Sequence, residues 1–324
     1  MANPMFSDQE FIEVWQQHQS AAKVSKILGI SERVVYKYRK RLEERLKTTL
    51  TATRYNATRR PMYGDHPGRI DLGIENGTVI VFSDAHFWPA KRSTAFKGLL
   101  HLIGELKPKA VINNGDAFDG AAISRHPRIG WDSTPSVIQE LQATEASLSE
   151  IEEVAKAGNP KVKLIWPLGN HDARFETRLA NTVPEFAHIK GFSLKDHFPS
   201  WEPCWACWLN ESTVVKHRYK NGIHATHNNT VSAGVSIVTG HLHSLKVTPF
   251  NDYNGERFGV DTGTLAEVDG EQFSNYMELN PNNWRSGFIV LTFNNGHLLW
   301  PEVVHVIDKD VIQFRGQVLD VSDF

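Results

Sequence analysis

Carboxylate, imidazole and amide side chains occur together in several short stretches of this chain. Three of these stretches are Asp84-Ala85-His86, Gly115-Asp116-Ala117-Phe118-Asp119 and Gly169-Asn170-His171-Asp172. Further along, His227 and the stretch Gly240-His241-Leu242-His243 add more imidazoles. Carboxylates and imidazoles with open positions for water suit Mn²⁺, Fe, Zn²⁺ or Ni²⁺ better than Ca²⁺. These residue types therefore predict a site for divalent transition-metal ions.

The first three polar stretches each follow an apolar run that is typical of a strand, and helices are predicted between the strands. The predicted elements, in chain order, are strand Thr78–Ser83, helix Arg92–Leu106, strand Ala110–Asn113, helix Pro135–Ala157 and strand Val162–Trp166. Strands that alternate with helices indicate a layered α/β domain. Ligands bind at the carboxyl ends of strands in open α/β sheets, so we expect the polar stretches to meet in one crevice.

A second sheet is predicted in the later part of the chain. Its expected strands are Ile223–Thr226, Val235–Thr239, Val260–Thr262 and Gly287–Phe293. His227 follows the first of these strands, and His241 follows the second. His224 is an alternative to His227, but His227 is preferred because it lies at the carboxyl end of its strand.

The first 48 residues are typical of a small helical module. Three helices are predicted, at Ser7–Gln17, Ser20–Leu28 and Ser31–Leu46, and each begins at a Ser that could cap it. A helix, a turn that contains Gly29 and a second helix rich in Arg, Lys and Tyr form the helix-turn-helix pattern. The predicted nucleic-acid contacts are Arg33, Lys37, Arg39, Lys40 and Arg41. The alternative is a docking module for another protein, on which these cations form a solvated face.

The charge distribution favours contact between this module and a polyanion. Residues 1–70 contain 13 Lys or Arg and 7 Asp or Glu, whereas residues 71–324 contain 22 and 30. The formal net charge of −2 therefore conceals a basic front and an acidic remainder. A cluster of cations on a recognisable motif is typical of nucleic-acid-binding proteins.

The ordered series of polar stretches resembles the calcineurin-like metallophosphoesterase superfamily. The motifs that carry the resemblance are DxH at Asp84, GDxxD at Asp116, GNHD at Asn170, a single His at His227 and GHxH at His241. The resemblance implies an α/β fold, a metallophosphoesterase β-sandwich flanked by helices, which a small all-α helix-turn-helix module precedes here. The expected divisions of the chain are the module at 1–48, a linker at 49–76, the phosphoesterase domain at 77–308 and a C-terminal tail at 309–324.

The resemblance also implies a role for each polar residue. The first metal ion would be held by Asp84, His86 and His243, and Asp116 would bridge both ions. The second metal ion would be held by Asn170, His227 and His241. The family often has Gly after the single His, whereas Asn228 stands here, so the geometry of this loop stays open.

The catalytic residues implied by the resemblance are His171 and Asp172. His171 would stand beside the scissile ester, oriented by Asp172, and would stabilise or protonate the leaving oxygen. Asp119 would hydrogen-bond a neighbouring site residue from behind. Arg125, His126 and Arg174 follow the metal motifs and are candidates for contact with substrate phosphate, although an ordinary surface loop is nearly as good an interpretation.

The sequence predicts the mechanism more clearly than the substrate. Protein Ser/Thr phosphatases of this superfamily carry an arginine in their second motif that grips phosphate, and Gly120 follows Asp119 here instead. The basic module favours a two-metal-dependent phosphodiesterase or nuclease that acts on DNA, with a hydroxide bridging two ions, expected to be Mn²⁺, as the nucleophile. A nucleotide or small-molecule phosphoesterase is the alternative, and a non-catalytic DNA-binding factor is least favoured.

The location expected from the sequence is the cytoplasm. No stretch approaches the roughly 18 to 20 uninterrupted apolar residues that a membrane helix needs. A small helix-turn-helix joined to a nuclease core resembles proteins of phage genomes, in which case the compartment would be the host cytoplasm.

Overall fold

The computed structural model describes residues 6–48, 50, 66–125, 134–270, 272–273, 277 and 280–324, apart from the side chain of residue 22. The chain divides into two compact units, Met1–Gly64 and Asp65–Phe324. Each unit has its own hydrophobic core, and each is described by itself below.

The first unit contains the three predicted helices. They are α1 (Asp8–His18), α2 (Ala21–Leu28) and α3 (Glu32–Leu46), and each lies within one residue of its predicted bounds. The side chain of Ser7 accepts a hydrogen bond from the amide of Glu10, which begins α1, and Gly29 at φ 64° ends α2. The core of this unit is formed by Phe11, Trp15, Val24, Val35 and Leu42, all of which are fully buried.

The second unit is built from strands and five further α-helices among the residues that the structure describes. The helices are α4 (Thr94–Leu106), α5 (Val137–Gly158), α6 (Asp172–Thr182), α7 (Leu194–His197) and α8 (Ala225–Ala233). The strands are β1 (Arg69–Asp71), β2 (Gly77–Phe82), β3 (Ala110–Asn113), β4 (Lys163–Pro167), β5 (Glu202–Cys204), β6 (Ala206–Asn210), β7 (Thr213–Val215), β8 (Ser236–Thr239), β9 (Lys246–Asp252), β10 (Gly255–Asp261), β11 (Gly287–Asn294), β12 (His297–Leu298), β13 (Glu302–Asp308), β14 (Val311–Phe314) and β15 (Gln317–Asp320). Within the described ranges, we find no helix with the length and apolar character needed to span a bilayer.

The strands form two sheets that pack face to face. The larger sheet has the order β15-β14-β13-β11-β2-β3-β4-β5, with β12 paired to β11, and the smaller sheet has the order β1-β6-β7-β8-β10-β9. In the central strand β2, Val79 and Val81 belong to the core between the sheets, whereas Ile80 and Phe82 belong to the core shared with the helices. Because strand residues alternate between the two faces, the continuous apolar run of β2 indicates burial on both sides. The expected α/β sandwich flanked by helices is confirmed.

The end of the chain and part of the expected linker belong to the sheets. β1 lies within the expected linker and pairs in parallel with β6, and Ile70 packs against the core between the sheets. The expected tail beyond residue 308 forms β14 and β15, which extend the larger sheet and bury Ile312 and Phe314. Both segments are short, so their apolar periodicity was too brief to predict strands.

The strand predicted at Ile223–Thr226 is wrong, because this segment begins α8. The buried residues of α8 are Ala225, Thr226, Asn229 and Thr230, a spacing of one and four that defines one helical face. This face packs on β10. The backbone of Thr226 lies so close to Gly259 that a Cβ at that position would overlap it. The spacing in the sequence was compatible with a helix, but the few apolar residues obscured it.

Candidate metal centre

The metal-capable residues follow the carboxyl ends of strands in both sheets. Asp84 and His86 follow β2, Asp116 follows β3, and Asn170 follows β4, and these three strands are parallel neighbours. In the smaller sheet, His217 follows β7, and His241 and His243 follow β8, which is parallel to β7. The arrangement matches the crevice that the alternation of strands and helices predicts.

The first candidate metal site is formed by Asp84, His86 and His243, all buried. Nε2 of His243 lies 3.0 Å from Oδ1 of Asp84. Two donors bound to one ion at about 2.1 Å, at angles from octahedral to tetrahedral, are separated by roughly 3.0–3.4 Å. The observed separation fits a shared ion as well as a direct hydrogen bond, and the three residues are those that the resemblance implies.

The second candidate metal site is formed by Asp116, His217 and His241. Nε2 of His217 lies 3.0 Å from Oδ2 of Asp116, and Nδ1 of His217 lies 2.7 Å from the carbonyl oxygen of Asn114. The carbonyl can only accept, so Nδ1 donates to it, and Nε2 is left with a lone pair for a metal ion. Oδ1 of Asn170 is also buried, and no hydrogen-bond partner for it occurs in the described parts of the chain. A divalent ion would satisfy both atoms.

His227 does not join the second site, which corrects the sequence prediction. His227 lies on the exposed side of α8 against the ring of Phe250, and His224 is exposed just before the same helix. His217 was missed because it follows only a three-residue strand and no glycine marks its loop. The signal was the β-branched run Thr213-Val214-Val215, which precedes Lys216 and His217 directly.

Asp119 holds the imidazoles of His86 and His171. Its Oδ1 lies 2.8 Å from Nδ1 of each ring. The carboxylate accepts both hydrogen bonds, so the two rings carry a proton on Nδ1 and turn Nε2 towards the crevice. The partner that orients His171 is therefore Asp119, whereas the resemblance implied Asp172. Arg174 completes this group, with Nη1 donating to the backbone oxygen of Asp119 at 2.9 Å and Nη2 lying 3.1 Å from Nε2 of His171.

Asp172 binds the backbone of two metal-ligand loops. Its carboxylate accepts hydrogen bonds from the amides of Asp116, Ala117, Phe118 and Gly169, and from Nε1 of Trp166, at 2.8–3.1 Å. Burial and the neighbouring Asp116 raise the pKa of Asp172 to about 6, against the opposing effect of these donors. Asp172 therefore helps to position Asp116 and Asn170, because its hydrogen bonds join the two loops that carry these residues.

Five of the candidate ligands have a left-handed backbone. Asp84, His86, Asp116, His241 and His243 have φ angles between 39° and 74°. Positive φ is uncommon for residues other than glycine, and such residues cluster at functional sites, where the surrounding structure holds them. The backbone at these positions thus carries strain that directs the ligand side chains into the crevice.

Two glycines of the motifs are required by close packing. A Cβ on Gly169 would overlap Oδ1 of Asp116, and a Cβ on Gly240 would overlap Oγ of Ser83 and Oδ2 of Asp84. The glycine before Asn170 and the glycine before His241 therefore allow the loops to approach the carboxylates of the site.

The electrostatics of the crevice favour cations. Burial alone would raise the pKa of Asp84, but His243 and His217 outweigh it and lower this pKa to about 2. Burial lowers the pKa of His217, but Asp116 and Asp84 outweigh it and raise this pKa to about 10. In the absence of an ion, a proton on His217 compensates the buried carboxylates. Divalent ions fit the same place, because they neutralise carboxylates and displace the proton from a ligand imidazole.

The other predicted contacts lie in different places. Arg125 is exposed, His126 lies outside the described residues, and Arg174 is part of the group around His171. In the first unit, Arg33, Lys37, Lys40 and Arg41 are exposed on α3, and we call these four residues the α3 basic surface.

Arg39 does not share this exposed position. Its guanidinium lies 4.7 Å from the ring centroid of Trp15 and donates to Glu43 at 2.9 Å. Arg39, which the sequence predicts to contact nucleic acid together with its neighbours, is thus separated from the exposed cations. The spacing of residues 33, 37 and 40 keeps them on one side of the helix, whereas Arg39 is turned towards the core of the module.

Glu140 on α5 is a buried acid behind the Asp119 loop. Its Oε1 accepts a hydrogen bond from the amide of Ala121 at 3.0 Å. Burial is the main cause that raises the pKa of Glu140 to about 8, opposed by this hydrogen bond and reinforced by Asp119. The folded protein therefore holds a proton on Glu140 at neutral pH, which the unfolded chain releases.

Replacing Glu140 with Gln should make the free energy of unfolding less sensitive to pH. The folded-state pKa lies above the unfolded value of 4.5, so the wild-type protein loses stability as the pH rises from about 4.5 to about 8. Gln has no such proton and keeps the hydrogen bond from Ala121. Urea unfolding at about pH 5 and about pH 9 measures the change, and Glu145→Gln, at an exposed position of the same helix, is the control. An equal loss in the wild-type and Glu140→Gln proteins would contradict the expectation.

Comparison with known proteins identifies the family. The family model described as calcineurin-like phosphoesterase matches residues 77–267, which include both ligand groups. The Gene 54 proteins of Mycobacterium phages L5 and D29 are 21% and 23% identical to this chain, each over 71% of this chain and 93% of the relative. Among solved structures, Vps29 of Entamoeba histolytica complexed with Zn²⁺ is 12% identical with a TM-score of 0.37, covering 76% of this chain and 99% of that one. Vps29 of Chaetomium thermophilum is 10% identical with a TM-score of 0.40, covering 75% and 97%.

The family match and the geometry agree on the chemistry. The matched range contains the carboxylates and imidazoles of both ligand groups, which supports a metal-dependent phosphoester hydrolase. Because the match extends over more than half of the 324 residues, the chain belongs to the calcineurin-like phosphoesterase family.

Proposed function

We propose that this protein is a metal-dependent phosphodiesterase that cleaves nucleic acid, with DNA as the substrate. The observation that carries the proposal is the α3 basic surface, which stands in the same chain as a complete phosphoesterase ligand set. A nuclease needs few sequence-specific contacts at its reaction centre, because phosphate contacts elsewhere can hold the polymer. We propose Mn²⁺ as the ion and the host cytoplasm, where phage and host DNA are found, as the compartment.

Two bound ions would lower the pKa of a water molecule and neutralise the phosphoryl oxygens. The residues of the chain supply the rest of the chemistry. Burial lowers the pKa of His171, but Asp116 and Asp119 outweigh it and raise this pKa above its usual value. In this structure Arg174 opposes that rise in pKa and donates to Nε2, because a guanidinium has no acceptor. Once substrate draws Arg174 to a phosphoryl oxygen, His171 can hold a proton on Nε2 and give it to the leaving oxygen. Arg174, next to that nitrogen, is placed to bind a phosphoryl oxygen once substrate enters.

The α3 basic surface is suited to a nucleic-acid backbone. Its four cations are exposed, and Tyr36 on the same side of the helix is 57% exposed. Lys and Arg that meet phosphates release counterions, which gives affinity for any sequence and steers association. α2 and α3 are joined by the turn at Gly29, and this geometry allows α3 to enter a groove while α2 crosses the backbone.

Neutralising the α3 basic surface should weaken cleavage of DNA without slowing a small substrate. In the full-length protein, Arg33, Lys37, Lys40 and Arg41 are all replaced by Ala, and hydrolysis of duplex DNA and of bis(4-nitrophenyl) phosphate is measured. We expect kcat/KM for DNA to fall at least tenfold at low salt. The slope of log affinity against log salt should become shallower by up to about 3.6, since each phosphate contact contributes about 0.9.

The matched control removes four exposed lysines, Lys107, Lys109, Lys161 and Lys163, which lie at or before the amino ends of β3 and β4, opposite to the ligand loops. This variant should cleave DNA as the wild-type protein does. If the α3 variant also cleaves DNA as the wild-type protein does, then α3 is a docking surface for another protein. A nucleotide or small-molecule phosphoesterase would then be the better description of the enzyme.

A further inference from the structure

A cavity of about 260 Å³ lies directly beside the first metal site. Its walls are the loop after β2, the beginning of α4, one position of α5 and the loop after β10. His86 lines this cavity and also belongs to the first ligand group. The cavity and the first ligand group therefore share one side chain.

The lining of the cavity combines aromatic and polar groups without a dominant charge. Trp88 is half-buried, and the rings of Phe87 and Phe96 are buried and contact each other edge to face at 5.6 Å. Gln272 adds an amide group, whereas the hydroxyls of Ser93 and Ser147 already donate to the backbone oxygens of Leu265 and Ala143. The cations Lys91 and Arg92 are matched by the acids Glu267 and Asp269.

Arg92, one of the two cations that line the cavity, is already paired with an acid. The guanidinium of Arg92 makes a two-point ion pair with Glu150 at 2.7 and 2.8 Å. A second phosphate would therefore find little positive charge in the cavity. An uncharged group with an aromatic face and hydrogen-bonding edges fits better, because pockets for such groups are mostly apolar with a few polar contacts.

We propose that this cavity binds the nucleoside attached to the phosphate at the metal ligands, with Trp88 stacking on the base. The inference rests on the proposed function, since it assumes that the substrate is a nucleic acid or a nucleotide. The volume lies just below the roughly 300–1,000 Å³ of common ligand pockets, so the cavity takes one nucleoside and not a longer segment. Stacking on an aromatic side chain tolerates every base, so the cavity anchors the substrate without selecting its sequence.

The test compares ligands that differ only in the nucleoside. Thymidine 5′-monophosphate, thymidine 3′-monophosphate and methyl phosphate are used as competitive inhibitors of methyl 4-nitrophenyl phosphate hydrolysis by the full-length protein with Mn²⁺. Isothermal titration calorimetry of the same ligands gives dissociation constants without turnover. We expect at least one nucleotide to bind about tenfold or more tightly than methyl phosphate, the range that stacking of one base provides.

Two variants and one control assign the difference to the cavity. Trp88→Leu removes the stacking ring, and Ser147→Phe fills the cavity from α5, so that either variant serves if the other folds poorly. Both should reduce the preference for the nucleotide over methyl phosphate to about twofold or less. Trp300→Ala is the control, because Trp300 is 58% exposed and lies beyond the carboxyl end of β11, away from the ligand loops. It should keep the preference.

A nucleotide that binds no better than methyl phosphate would overturn the nucleoside site, as would a preference that survives both variants. A wild-type protein that does not hydrolyse methyl 4-nitrophenyl phosphate at all would overturn the proposed phosphodiesterase function together with this inference. If the protein hydrolyses this diester but shows no preference for a nucleotide, the nucleoside site would be overturned and the phosphodiesterase function would stand.

Discussion

Replacing His217 with Ala should remove one of the two metal ions and lower the rate of phosphodiester hydrolysis by about 10³-fold or more. Nε2 of His217 lies 3.0 Å from Asp116, and its Nδ1 donates to the carbonyl of Asn114. These two contacts fix the ring at the second metal site, so we expect no neighbouring side chain to take over its role as a ligand. Losing an ion removes several kcal/mol of charge stabilisation from the transition state, which corresponds to a rate loss of this size. Metal content by mass spectrometry and kcat/KM for a chromogenic diester measure the two effects.

The matched control is His227→Ala. His227 is exposed on α8 and takes no part in either ligand group, so its replacement should leave the metal content and the rate unchanged. His224→Ala should behave in the same way. The ligand assignment would be wrong if His227→Ala lost an ion while His217→Ala kept both.

Replacing His171 with Ala should slow hydrolysis of an alkyl phosphodiester by about 10²–10⁴-fold, the usual contribution of a general acid, while both ions remain bound. His171 belongs to a third cluster, with His86 and Asp119, in which Nδ1 of both rings is bound to the Asp119 carboxylate and Nε2 of His171 lies against Arg174. We therefore expect it to take no part in holding either ion. The same substitution should have a much smaller effect on a 4-nitrophenyl ester, because nitrophenolate leaves without needing a proton. The ratio of the two effects separates proton donation from a structural role.

The pH profile adds a second readout for His171. An acid must be protonated to act, so the wild-type rate should fall as the pH rises through the pKa of His171, and the variant should lack that fall. A loss of metal in parallel with the loss of rate would instead make His171 a ligand. An equal effect on the alkyl and nitrophenyl esters would show that it does not protonate the leaving oxygen.

Much of the fold and of the site could be predicted from the sequence. The buried strands β2, β3 and β4 carry continuous apolar runs, and a polar motif follows each, so the strands and the crevice that their motifs share could be predicted from local pattern. The caps Ser7 and Ser31 likewise fixed the helices of the first unit.

The missed features depend on contacts between distant parts of the chain. His217 is a ligand because β7 lies parallel to β8, a pairing that three residues of strand could not reveal. The role of Asp172 depends on backbone amides 54 to 56 residues earlier in the chain, so its place next to His171 was misleading. The guanidinium of Arg39 packs on Trp15 of another helix, and this contact could not be predicted from the sequence of α3 alone.

The two ligand groups draw on both sheets of the sandwich. Asp84, His86 and Asp116 come from loops of the larger sheet, whereas His217, His241 and His243 come from loops of the smaller one. Each bound ion would therefore act as a non-covalent cross-link between the two layers at one rim. Chelation would remove these links and leave the rim to packing and to direct hydrogen bonds between the layers, such as that of His217 with Asn114 and that of the His241 amide with Asp84. Amide hydrogen exchange should therefore accelerate there first, while the opposite rim keeps its protection.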